Sequence, residues 1–360
     1  MSIPFDSKEL EKITYSHSLL GNSTIPDYGV VVSNKELVSA TFRREPICQV
    51  IDSEQYTVFN PYVLPDNVAR AFVVEARPFD PVENGGGKDM FGIEWVYVPQ
   101  AEGSMEKHAT PLLEDAEEWH DNVVFPDVDS WDWEGCAKAN EGFLKDDQFV
   151  VTWIQNGWFE RLISFMGFEG AIMAMADEDQ RDEVKDLLMA VSDTYIDVID
   201  HFVKYFPQID CFFMHDDWGA QKDTFFAPEL VEEIIVPAMR KVTDHIHSIG
   251  KFAEFHSCGN NGKQVPNMIK AGWDMWCGQA MNDTRGLYEQ YGDDIILGVF
   301  PEGFDRDNMT DEDQRAMARE YAEKFCNPEK PSILHFMACE KLSPAFYEEL
   351  YKESRIRYGK

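Results

Sequence analysis

Two regimes of hydrophobic patterning divide the chain near residue 145. C-terminal to that point, short apolar runs rich in β-branched and aromatic residues occur at 149–154, 210–215, 252–256, 274–277, 295–300 and 332–337. They are nearly continuous rather than alternating, which predicts strands buried on both faces, as in a parallel sheet. Between them the apolar period lengthens to that of a helix. Asp177, with Gln180 three residues on, predicts a helix start, and apolar positions then fall at 184, 187, 188, 191, 195, 198, 199 and 202. A second stripe begins after Pro228 at 230, 231, 234, 235, 238, 242, 246 and 249, and Gly250 ends it. Thr310 with Asp313 opens another helix, and Ser343-Pro344 opens the last. Strand and helix in regular alternation imply parallel strands joined by right-handed crossovers. Further strands at 46–51 and 71–75 would bring the set to eight, enough to close a barrel. An open doubly wound sheet satisfies the same pattern. Both architectures collect their functional groups at the C-terminal ends of the strands.

The N-terminal regime is irregular and rich in Asp, Glu, Pro and Gly. Gly85-Gly86-Gly87 predicts a flexible loop; no helical stripe follows it, so it does not carry a dinucleotide fingerprint. The expected organisation is an N-terminal extension over 1–45 and one catalytic domain over 46–360, with an insertion at about 78–145. Hydrophobic residues at 44% and charged residues at 27% fit a globular chain. Acids outnumber bases 66 to 32, and the net charge of −34 argues against nucleic acid or an anionic membrane surface as partner. The seven cysteines are dispersed rather than dense, no apolar run is long enough to span a bilayer, and MSIPFDSKELEK lacks the features of a secretory leader. A reducing, cytoplasmic setting is the expectation.

Chemistry-bearing residues crowd the predicted strand ends: HDDWG (215–219), HSCGN (256–260), CGQ (277–279), GVFPE (298–302) and HFMACE (335–340). His256 and Cys258 lie two apart, which on an extended strand puts both side chains on one face, and Gly259 permits a tight turn after them. An imidazole and a thiolate so placed can grip one soft cation. A third donor, Cys339 or Cys277, would complete a set with one position open, the pattern of catalytic zinc. Glu302 is a candidate for that open position. The competing reading makes Cys258 a small buried hydrophobe and His256 a hydrogen-bonded strand-end histidine. Asp216 and Asp217 are neighbours, so only one can face the mouth of the sheet; that one is a candidate catalytic acid/base or partner of a ligating histidine, and the other a capping group. His215 and His335, on otherwise apolar strands, read as packed core histidines.

The stretches NKELVSATFRREP (34–46), DMFGIEW (89–95), GWFERL (157–162), DDWGAQKDTFFAP (216–228), GKFAEFHSCGN (250–260) and Cys339 together resemble the uroporphyrinogen decarboxylase superfamily, specifically its corrinoid-dependent methyltransferases. The resemblance implies an α/β fold, a TIM (β/α)8 barrel, with an irregular N-terminal extension and insertion. It implies zinc held by His256, Cys258 and Cys339, and a cobamide carried by a separate corrinoid protein. The activity it implies is methyl transfer between a small molecule and cobalt. In the favoured direction the donor is a methoxylated compound, which is O-demethylated. In the other, methylcobamide donates to a thiol. The chain lacks the arginine-rich RQAGRY-like motif of the decarboxylases themselves, and AFVVEARPFD (71–80) stands where their catalytic aspartate segment is expected. A decarboxylase acting on a polycarboxylate is therefore an alternative poorly matched to the charge. A non-catalytic barrel with a closed four-ligand zinc site is the remaining one.

Overall fold

The computed structural model describes residues 3–11, 14–17, 24–29, 32–101, 103–107, 111–305, 307–335 and 342–359, and its architecture is an α/β fold of the TIM-barrel type. The principal sheet has eight strands: β1 (Val50–Ile51), β2 (Tyr56–Val58), β3 (Phe149–Ile154), β4 (Ile209–His215), β5 (Phe252–Ser257), β6 (Met275–Gly278), β7 (Ile296–Val299) and β8 (Ile333–Leu334). Their order is β1-β8-β7-β6-β5-β4-β3-β2, so sequence neighbours pair from β2 onward and β8 returns to β1. The pairs β4/β5, β6/β7, β7/β8 and β8/β1 are parallel. The order begins at β1 and ends at β2 for a physical reason. Only the four-residue helix Asp52–Gln55 joins those two strands, whereas a parallel crossover needs about a dozen residues.

Five of the six C-terminal strands appear where the pattern places them; of the one expected at 332–337, Ile333–Leu334 is strand and 336–337 lie outside the described residues, and the one expected at 46–51 is reduced to Val50–Ile51. The eighth, expected at 71–75, does not form. Ala71 takes a left-handed φ of 58°, which turns the chain, and Val74 makes only an isolated bridge to Asn60. The three-residue β2 serves instead.

The chain folds as two compact units, a terminal one of residues 1–57, 146–150 and 274–360 and a central one of 58–145 and 151–273. In the central unit β4 is buried from Ile209 to Met214, as its unbroken apolar run requires. The stripe after Asp177 forms the helix Arg181–Tyr205, burying Val184, Leu187, Leu188, Val191, Tyr195, Val198, Ile199 and Phe202. Asp177 does not cap it: the carboxylate takes the Asp179 N–H at 3.0 Å and shapes the turn before the helix. The stripe after Pro228 is two helices, Pro228–Ile234 and Val236–Ser248. Pro237 has no N–H to continue the first, so the chain breaks there. Gly85–Gly87 is no flexible loop, since Gly86–Lys88 forms an edge strand of an antiparallel sheet with Glu94–Val98 and Gly103–Glu106. Gly86 has φ 97°, and a Cβ there would meet the Trp95 carbonyl at 2.8 Å.

A buried guanidinium ties the turn between the first two strands of this small sheet to the start of the helix Trp158–Ala176. Arg161 donates to Asp89 Oδ2 at 2.6 Å and to Asp66. Asp89 also accepts Trp95 Nε1 at 3.0 Å and the Ile93 N–H at 2.9 Å, while Asp66 accepts the Met90 N–H at 3.0 Å and Asn156 Nδ2 at 2.8 Å. Burial pushes the Asp89 pKa up, and the neighbouring Asp66 charge adds to this against the pull of Arg161.

In the terminal unit, Thr310 and Asp313 form the expected capping box on the helix Asp311–Phe325, and Ser343 caps Pro344–Tyr358. Buried Arg355 grips Glu9 at 2.9 and 3.0 Å and the Ile47 carbonyl at 3.0 Å, fastening the N-terminal turn Ser7–Glu11. No described helix is long and apolar enough to cross a membrane.

Replacing Arg161 with Met leaves two carboxylates facing each other without a countercharge. Equilibrium urea unfolding is expected to show a loss of about 3–5 kcal/mol, the usual cost of stripping one partner from a buried ion cluster. A loss below about 1 kcal/mol would mean the cluster is incidental to the fold.

Candidate metal centre

β4 and β5 pair in parallel with His215 opposite His256. The two imidazoles stack with centroids 5.4 Å apart and planes 19° apart. Phe213 also stacks on His256, at 6.1 Å, and Trp153 stacks on Phe213 at 4.1 Å, so aromatic neighbours hold the ring of His256. Just past β5, Cys258 Sγ lies 3.7 Å from His215 Nε2 and 3.6 Å from His256 Nε2. One donor atom from each of the three residues lies within 4.8 Å of the other two. Zinc bonds of about 2.3 Å to sulfur and 2.0–2.1 Å to nitrogen, at tetrahedral angles, separate S and N by about 3.6 Å. Both measured S···N edges match that value, so the donors fit zinc.

The two strand-end loops interlock to make this approach possible. The Asp216 N–H reaches the His256 carbonyl at 3.1 Å, the Trp218 N–H reaches Ser257 Oγ at 3.1 Å and the Asn260 N–H reaches the Ala220 carbonyl at 2.8 Å. Gly259 sits at φ 91°, and a Cβ on it would lie 2.2 Å from the Gly219 carbonyl oxygen. Only glycine fits there.

Outside the triangle, Glu160 Oε2 binds His215 Nδ1 at 2.7 Å, and Arg70 holds the other oxygen of Glu160 at 3.1 Å. A histidine whose Nδ1 is held by a carboxylate presents Nε2 in a fixed direction, the usual arrangement behind a ligating imidazole. Asp217 Oδ1 lies 3.4 Å from His215 Nε2 and accepts the Cys258 N–H at 3.2 Å. Burial disfavours charge on His215, but Glu160, aided by contacts to Cys258 and Asp217, holds its pKa well above the ordinary value. Burial would raise the Glu160 carboxyl, yet Arg70 and His215 bring it down to about 2. Burial pushes the Cys258 thiol up against the pull of His215. Metal binding here would displace protons from both His215 and Cys258.

The residues singled out by sequence are distributed as follows. His256 and Cys258 meet. Asp217 faces the pair and is partly exposed. Asp216 turns the other way, fully buried, and accepts the N–H groups of Phe159 and Glu160 at 3.1 and 2.8 Å and Trp218 Nε1 at 2.9 Å. Burial and the nearby Glu160 charge push its pKa up to about 7. Cys277 belongs to a different group, with Asp52 and His335. Glu302 is a surface residue 3.4 Å from Arg285. Cys339 lies outside the described residues. His215 is not the packed core histidine expected of it, because the last residue of β4 emerges beside the last residues of β5. Two histidines ending adjacent strands was the available signal. Glu160, within GWFERL, was missed because its role depends on where the helix Trp158–Ala176 starts.

No family profile matches the sequence, and no curated protein matches it. Among solved structures, a methyltransferase from Methanosarcina mazei aligns over 90% of this chain and 98% of that one, with a TM-score of 0.61 and 15% identity. At that identity the likeness is one of fold. IOLI protein with a bound zinc atom aligns over 64% of this chain and 80% of that one, with a TM-score of 0.30 and 13% identity. An α-galactosidase from Saccharomyces cerevisiae with raffinose aligns over 91% and 60%, with a TM-score of 0.35 and 11% identity.

In the metal-free protein, His215 is expected to stay protonated through neutral pH, its nitrogen NMR midpoint lying well above the ordinary value of about 6.5. Because the folded-state pKa is raised, its stabilising contribution is full below about 6.5 and fades as pH rises through the folded value. Glu160→Gln should lower the midpoint and flatten that dependence. A midpoint at or below the ordinary value with Glu160 in place would refute the ion pair.

Proposed function

We propose that this chain is a zinc-dependent methyltransferase that moves a methyl group between a small substrate and the cobalt of a cobamide held on a corrinoid protein partner. The direction favoured is O-demethylation of a methoxylated compound. The observation that carries this reading is the triangle of His215, His256 and Cys258, with S···N edges of 3.6 and 3.7 Å at the C-terminal ends of adjacent strands. The fold likeness to the Methanosarcina mazei methyltransferase and the HSCGN and DDWGAQ motifs support it.

His256 and Cys258 would hold the zinc, with His215 as third donor from the neighbouring strand; Cys339 is the donor the resemblance supplies. When bound, zinc supplies Lewis acidity toward the oxygen that leaves the methyl group. Glu160 keeps His215 Nε2 aimed at the site. Asp217, partly exposed beside His215, is placed to hold the proton that the departing oxygen takes up. Asp216 acts at one remove, through the helix start that carries Glu160.

The test mixes purified protein with a reduced cobamide-loaded carrier protein and a panel of methoxyaromatics, methanol, methylamines and thiols. Methyl–cobalt is followed by absorption. A methoxyaromatic should generate it, and Cys258→Ser or His256→Ala should lower both bound zinc and rate by at least about 100-fold with the fold intact. Loss of methyl–cobalt from a carrier methylated beforehand, on adding a thiol, would reverse the direction. Full zinc and full activity in Cys258→Ser would sink the site. Comparing metal content in His215→Ala and Cys339→Ser decides the third donor.

A further inference from the structure

The ends of three other strands bring together a second set of soft and hard donors, entirely within the terminal unit. Asp52 follows β1, Cys277 lies in β6 and His335 follows β8. One donor atom from each lies within 4.8 Å of the other two. All three are buried: 6% exposed for Asp52, 1% for Cys277 and 1% for His335. His335 Nδ1 is in close contact with Asp52 Oδ2.

The strand between them is built to let them meet. β7 pairs with β8 on one side and β6 on the other. Its Gly298 has no side chain where one would stand: a Cβ would lie 2.9 Å from His335 Cβ and 3.4 Å from Cys277 Cα. Any other residue would push His335 away from Cys277. The His335 N–H bonds the Val299 carbonyl at 3.2 Å, and Phe300 meets the imidazole edge-on at 5.1 Å, so its backbone and ring are both held.

We infer that Asp52, Cys277 and His335 form a second transition-metal site, of the zinc class. A thiolate, an imidazole and a carboxylate from three rigid strand ends are a recognised donor mixture for zinc, and the thiolate disfavours magnesium and calcium. A divalent cation bound among the three would offset the Asp52 carboxylate and the Cys277 thiolate formed when its proton leaves. The alternative is a His–Asp pair joining two strand ends. That pair does not need Cys277 within ligand distance of both partners.

The experiment uses the full chain, stripped of metal and titrated with Co²⁺, whose thiolate charge-transfer absorption reports cysteine ligation. The wild-type protein should take up two equivalents. Cys277→Ser and Asp52→Asn should each lose one, and Cys258→Ser should lose the other. Failure of Cys258→Ser alone to lose metal would count against the first centre and leave this one standing. If Cys277→Ser and Asp52→Asn bind cobalt in the wild-type amount with an unchanged spectrum, the second site is wrong. Should either variant misfold by circular dichroism, anomalous scattering at the zinc edge from wild-type crystals decides: a peak among the three side chains upholds the site and its absence there overturns it.

Discussion

Burying the Asp216 carboxylate is costly unless its lone pairs are filled. The chain fills them with two N–H groups at the start of the helix Trp158–Ala176 and with the indole of Trp218. A carboxylate at a helix N-terminus also favours the dipole end it faces. That contact sets where the helix begins, and so where Glu160, in its first turn, can reach. Glu160 then holds His215, and His215 faces Cys258. Gly157 belongs to the same constraint: a Cβ on it would lie 2.4 Å from Asp216 Cβ. The direction of His215 is thus set from beneath, by the Asp216 hydrogen bonds that fix where Glu160 sits.

The first turn of this helix divides its charges between two tasks. Glu160 points toward the His215 imidazole, while Arg161, rotated about 100° around the helix axis, points into the pair Asp66 and Asp89. The segment that carries Asp89 is therefore anchored by the residue next to the one that orients the histidine. An acid and a base adjacent in sequence make no ion pair with each other because they face apart. Each instead closes a separate buried cluster, and the cost of desolvating both is met by partners that come from distant segments.

The sheet was legible because burial on both faces leaves unbroken apolar runs, which composition alone reveals. β1 and β2 were harder, since two and three residues carry no period. The segment 71–75 has strand-like residues, but a left-handed Ala71 and a single bridge at Val74 use them otherwise. At the site, the i, i+2 rule was enough to put His256 and Cys258 on one face. It could not bring in His215, whose role depends on the register of β4 against β5, a tertiary quantity. Calling His215 a core residue followed from its apolar strand, yet the strand ends at that residue and its ring emerges beside His256. Glu160 and Arg161 lie within GWFERL, but their roles were not legible there, because a helical residue's direction follows from the helix start and the start from Asp216.

The excess of acids over bases, 66 to 32, has a local counterpart that favours a cation at the centre. Around His215 stand Glu160 and Asp217, and Cys258 joins them as an anion once its proton leaves. Arg70 answers Glu160, and Arg161 is spent on Asp66 and Asp89. In the metal-free protein the proton on His215 is what balances the cluster, which is why its pKa is held up despite burial. A divalent ion replaces that proton and also offsets the thiolate, so the same surroundings that make a protonated His215 comfortable make a bound metal more so. An anionic ligand placed there would meet the opposite field.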